Sequence, residues 1–202
     1  MEKDLRSDAR DNRQQLLEAA AAVFLEHGIA VRLDVVIERA QVGRATFYRN
    51  FPDRAALIVA LLDVAQSRLS EAAASIPDDE NKVFRLFAFI GEMLTVNPVL
   101  VDAWRVLGSD SPEITSSQTR FMAVFKDPVS IALAAGTLRE DFKLEDVSVV
   151  TGMLSAVVRE QDPISRERVV ARLLELVTTG VSGPSYDAQT VRSDRLDEDT
   201  SE

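Results

Sequence analysis

Between residues 32 and 54 the chain concentrates side chains that donate hydrogen bonds to anions. Arg32, Arg39, Arg44, Arg49 and Arg54 face only Asp34, Glu38 and Asp53 there, and Thr46, Tyr48 and Asn50 add hydroxyl and amide groups. Guanidinium, hydroxyl and amide donors hold phosphate oxygens and read base edges, so the chemistry open to this set is recognition of duplex DNA. Catalytic chemistry has no comparable set. His27 is the single histidine and cysteine is absent, which removes disulfides, thiolate catalysis and thiolate metal sites and leaves a His-based triad or metal cluster without its parts. The eight glycines are scattered, so no Gly-rich loop cradles phosphate. Asp78-Asp79 and Asp197-Glu198-Asp199 read as solvated charge, and no enzymatic activity, metal or cofactor is expected.

The surrounding residues must place those donors. Val36, Ile37 and Ala40 make an inward stripe one helical face wide, Gln41-Val42-Gly43 breaks it, and Gly43 stands where a second helix must start. In that second helix Phe47 and Phe51 point inward together. Arg44 and Tyr48 form one outward row, and Thr46, Arg49 and Asn50 another. Two short helices with donors on a narrow outer face are the helix-turn-helix arrangement that fits a major groove. A helix over about 11–27 precedes them, with Leu16, Leu17, Ala20, Val23 and Phe24 on one face and Gly28 as its stop. Pro52-Asp53 restarts the chain, Asp53 capping a long helix from Arg54 to about Ala74.

The stretch from Asn12 to Leu57 resembles the DNA-binding domain of the tetracycline-repressor (TetR) family of bacterial transcriptional regulators. The resemblance rests on the opening helix Arg13 to Phe24, on His27-Gly28, on Leu33 to Ala40, and above all on Gly43 to Arg54. It covers about a quarter of the chain, and the rest matches the family in length and helical character. Three features depart from the pattern. Arg32 stands where the family often has a capping Thr, Gln41 where it often has Gly, and the loop Gly28 to Arg32 looks one residue shorter. The resemblance implies that Arg44 and Thr46 meet base edges or nearby phosphates and that Arg32, Tyr48 and Arg54 hold phosphates. Arg49 and Asn50 are further candidates. It also implies a cytoplasmic homodimer that reads a palindromic operator on double-stranded DNA, most often as a repressor.

Net charge is −10, unusual for a DNA binder, but the acid lies elsewhere: residues 1–54 hold nine basic and nine acidic residues, 55–180 hold 12 and 18, and 181–202 hold two and six. A locally basic face can still bind DNA, with affinity that falls steeply as salt rises. Composition gives residues 1–10 as a flexible arm and 181–202 as a disordered acidic tail, and the resemblance implies a DNA-binding domain over 11–53 and a helical effector-binding and dimerisation domain over 54–180. Within the third segment, helices are predicted over about 80–96, 99–107, 113–125, 128–135, 144–159 and 163–179, so the chain is all-α. The longest apolar run, Ala55 to Leu62, is too short to span a bilayer, and no apolar segment of a secretory signal follows the N-terminus, so neither membrane nor export is expected.

Two tasks follow for the body. The last two helices carry wide apolar stripes, Val147 to Val158 and Val169 to Val177, which in the resembled family pair across a two-fold axis. Phe87, Met93, Trp104, Phe121, Met122 and Phe125 are candidate linings for a small, largely apolar effector, and the helix from Arg54 would relay its binding to the head. Two alternatives stay open: a ligand-independent protein that organises DNA, and a helical protein-interaction module whose head no longer binds DNA.

Overall fold

A computed structural model describes residues 2–96, 112–155 and 162–187. Eight helices are found among them: α1 (Glu2–His27), α2 (Leu33–Arg39), α3 (Arg44–Asn50), α4 (Arg54–Ser75), α5 (Lys82–Val96), α6 (Pro112–Ala135), α7 (Asp146–Leu154) and α8 (Pro163–Val181). Residues Leu138 and Ser182 form one isolated antiparallel bridge, and the described residues contain no strand. The fold is all-α. Helix α1 begins at Glu2, so the residues expected as a flexible arm continue the helix, in keeping with the helix propensity of their Glu, Lys, Leu and Arg.

The chain divides into two compact units, residues 1–65 with 97–117 and residues 66–96 with 118–202. In the first, Leu16, Ala20, Val23 and Phe24 of α1 pack in one core with Val36 and Ile37 of α2, Phe47 of α3, Phe51, and Leu57 and Ile58 of α4. These are the inward stripes that periodicity predicts. Gly28 ends α1 at a φ of 79°, with its N–H bonded to the Phe24 carbonyl at 2.8 Å, a left-handed stop that other residues adopt at a cost. Gln41 holds the tight turn between α2 and α3 at a φ of 53°. The turn thus keeps its left-handed shape although a glycine is not there to adopt it freely.

In the second unit α5 is buried along most of its length and packs on α7 and α8. A Cβ on Gly91 would lie 2.7 Å from Val170 Cγ1, so this glycine sets how closely α5 and α8 approach. Asp162 caps α8 by accepting the Ser165 N–H at 2.8 Å, with Pro163 in the first turn, the start that the sequence predicts.

Three further expectations change. The helices expected over 113–125 and 128–135 are one helix, α6, that runs through Pro128. Phe125, Val129 and Ala132 are buried on both sides of that proline, and this burial offsets the missing hydrogen bond. The helix expected over 144–159 is regular from Asp146 to Leu154, with Glu145 and Ser155 at its cap positions, and residues 156–159 lie outside the described residues, as does the helix expected over 99–107. The acidic tail expected from residue 181 is folded as far as residue 187. Gly183 N–H bonds the Thr137 carbonyl at 2.7 Å, Ser185 N–H bonds the Gly136 carbonyl at 3.1 Å, and the Tyr186 ring lies 4.4 Å from that of Phe84. Composition missed this strap because its hold is backbone pairing and one ring. Residues 188–202 lie outside the described residues.

Candidate nucleic-acid interface

Helix α3 is seven residues long and its two faces differ sharply. Phe47 is fully buried, while Tyr48 beside it is 47% exposed, its ring set edge-on to Phe47 at 5.2 Å. The buried ring thereby fixes the root of the exposed one. Arg44 and Arg49 are exposed and Thr46 and Asn50 half-buried, so the two outward rows survive in three dimensions. Neither short helix has a side-chain cap: Arg32 and Gly43 occupy the cap positions of α2 and α3 without such a bond. The capping lost with Thr at position 32 is therefore not replaced, and Asp34 in the first turn of α2 supplies the favourable negative charge there.

The donors differ in what they already hold. Arg32 donates from Nη2 to Asp34 Oδ2 at 2.9 Å, and Arg44 donates from Nη2 to Asp34 Oδ1. One carboxylate thus joins the cap position of α2 to the first residue of α3. The Arg32 hydrogen bond, opposed by desolvation and helped by Arg44, holds the Asp34 carboxyl below its ordinary range. Asn50 spends its amide within the helix, donating to the Thr46 carbonyl at 2.9 Å, and its own carbonyl accepts from Arg13 Nη1 at 3.5 Å. Arg13 also lies 4.6 Å over the Phe51 ring, tying α1 to the end of α3.

Arg54 is bound to the head's own backbone through two donors. Its Nη2 donates to the Val31 carbonyl at 2.6 Å and its Nη1 to the Ile29 carbonyl. Half-buried and bound to two carbonyls of the loop between α1 and α2, this guanidinium is a clamp on the head's own backbone. The sequence shows the charge of Arg54 but not the carbonyls 23 and 25 residues upstream that receive it. Asp34 is the residue whose pairing sequence reasoning passed over, having been counted only as an acid opposing the arginines.

Among the candidate ligand-lining residues the structure brings three rings together. Phe87 and Phe125 are fully buried with centroids 5.5 Å apart, and Phe121, half-buried, lies 5.4 Å from Phe125. Met122 is half-buried and its sulfur accepts from the Ser148 hydroxyl at 3.4 Å. Met93 is half-buried on α5, and Trp104 lies outside the described residues. No helix among the described residues is long and apolar enough to cross a membrane.

A three-helix head whose second short helix shows a row of donors to solvent, followed by a helical body, defines a helix-turn-helix regulator. The comparisons agree. The family model for bacterial regulatory proteins of the tetR family matches residues 16–61. The chain is 26% identical to the TetR transcription regulatory protein from Mycobacterium vanbaalenii, covering 88% of this chain and 99% of that one, with a TM-score of 0.61. It is 28% identical to the TetR transcriptional regulator SCO0520 from Streptomyces coelicolor, covering 85% and 99%, with a TM-score of 0.59. The TetR-family protein CprB from S. coelicolor A3(2) shares the fold, with a TM-score of 0.70 over 96% of this chain and all of that one at 19% identity. No curated protein sequence matches the chain. Residues 16–61 carry the helix-turn-helix domain of bacterial tetR-family regulatory proteins, and over most of its length the chain is similar to TetR-family transcriptional regulators.

Proposed function

We propose that the chain acts in the cytoplasm as a homodimeric repressor that leaves a palindromic operator when a small, largely apolar ligand binds its body. The observation that carries the reading is the face of α3, where Arg44, Tyr48 and Arg49 are exposed on a helix anchored from behind by buried Phe47. Arg44 and Thr46 meet base edges or the adjacent phosphates. Tyr48 and Arg32 hold phosphates, with Arg49 and Asn50 at the margin. Residues 11–53 are the reading head and 54–180 the effector-binding and dimerising body.

Two further observations support the finer points. Val149 and Met153 on α7 and Ile164 and Leu176 on α8 are large apolar side chains left exposed, a face suited to a second copy. Phe87, Phe121 and Phe125 form an aromatic patch in the body that favours an apolar ligand over a charged one. Helix α4 belongs to the first unit up to Ala65 and to the second from Gln66, which supports it as a segment through which ligand binding would alter the head. A ligand shifts the head only so far as it prefers one arrangement over the other.

Selection of bound sequences from a random duplex pool at two salt concentrations tests the reading. Enrichment of a palindrome with half-sites about one helical turn apart, or a multiple of it, is the expected result. Equal binding of all sequences, vanishing at moderate salt, refutes specific regulation.

A further inference from the structure

Asp34 is a carboxylate on the face that the Proposed function presents to a polyanion, where a negative charge opposes binding. Its geometry gives it a use. Its two oxygens are divided between two arginines, Oδ2 taking Arg32 and Oδ1 taking Arg44. All three side chains are accessible, with side-chain exposures of 83% for Arg32, 70% for Arg44 and 36% for Asp34. A guanidinium has five N–H donors in a rigid planar fork, so a bond through one Nη2 hydrogen leaves the other donors of Arg44 unspent. A long exposed arginine otherwise samples many rotamers, and fixing it on binding costs free energy.

We infer that Asp34 is a positioning residue for sequence discrimination: it tethers Arg44 at the first turn of α3 while its charge weakens attraction to phosphates in general. Arg44 then reaches a base edge already oriented, and non-cognate DNA meets a face with one cation fewer in net charge. The inference rests on the proposed DNA contacts of Arg44. A surface ion pair without this role adds little, because solvent and salt screen it. The distinguishing quantity is therefore the ratio of specific to non-specific binding, not stability.

The test uses full-length protein and two duplexes: the sequence selected from the random pool by the wild-type chain, and a scrambled duplex of the same composition. Asp34→Asn should bind the scrambled duplex more tightly and lower the selected-to-scrambled ratio by about fivefold or more, within the range that one well-made base contact provides. Asp34→Glu, which keeps the charge one methylene further out, should retain part of the ratio. In an Arg44→Ala background, Asp34→Asn should raise both affinities by one common factor. Far-UV circular dichroism checks that each variant keeps its helices, and Asp34→Ser stands in if the Asn variant does not. A common factor in the Arg44-containing protein overturns the inference and leaves the DNA-binding reading intact. Absence of salt-sensitive duplex binding by the wild-type chain overturns both.

Discussion

Replacing Arg54 by Met keeps the apolar stem and removes the guanidinium that donates to the carbonyls of Ile29 and Val31. A hydrogen bond to a charged group contributes about 1.5–3 kcal/mol, and each carbonyl left without its donor either finds water or bears a desolvation cost. Arg54 is half-buried, so solvent recovers part of that cost. Discounting the two bonds by roughly half gives about 2 kcal/mol, and a Tm lower by about 4–8 °C for a chain of this length. Arg54→Lys should fall between, because an ammonium lacks the planar fork that spans two carbonyls. Urea unfolding followed by circular dichroism measures the stability, and duplex binding across a salt series measures the DNA contacts. A phosphate contact contributes about 0.9 to the slope of log affinity against log salt, whereas a clamp on the loop leaves that slope alone. Unchanged stability together with a slope reduced by about one would refute the clamp and restore Arg54 to the phosphate contacts that its charge suggests.

Three further outcomes are expected. Gln41→Gly removes the strain of a left-handed non-glycine residue, about 1–2 kcal/mol, against the entropic cost of glycine, about 0.5–1 kcal/mol; chemical denaturation should show a gain of about 0.5–1 kcal/mol with duplex binding retained. Gly183→Ala sets a Cβ against the Gly136 carbonyl oxygen and 2.5 Å from the Leu138 carbonyl oxygen, so the strap over residues 182–187 should detach at a cost of about 1–3 kcal/mol and become an early site of limited proteolysis. Burial raises the Asp79 carboxyl, but the Arg85 guanidinium at 2.7 Å and the Asn81 N–H at 2.9 Å outweigh it and hold its pKa low. A depressed folded pKa contributes stability at pH above the unfolded value, about 3.9, and that contribution is lost as pH falls through the folded value. Asp79→Asn should flatten this part of the acid-side decline in a pH series of Tm.

Much of the head, and the start of α8 in the body, is legible along the chain. The stripes of α1, α2 and α3, the stop at Gly28 and the start of α8 at Asp162-Pro163 depend on residues within about four positions of one another. Period 3.6 and capping chemistry therefore encode them locally. The outward rows on α3 follow in the same way, since burying Phe47 leaves Arg44, Tyr48 and Arg49 no other side of the helix. Resemblance to a family extended that reading from a pattern of donors to a regulator.

What the chain could not show along its length is which partner each polar group takes. The Arg54 carbonyls lie 23 and 25 residues upstream, Arg44 meets a carboxylate 10 residues away, and Thr137 donates to the Glu80 carbonyl 57 residues back. The passage of α6 through Pro128 and the folding of residues 182–187 have the same origin, because burial and backbone pairing with distant segments outweigh the local signals to stop or stay loose. Periodicity decides which face of a helix turns inward; only the packing of helices against each other decides whether an arginine on the outer face remains open to DNA or is bound to its own chain.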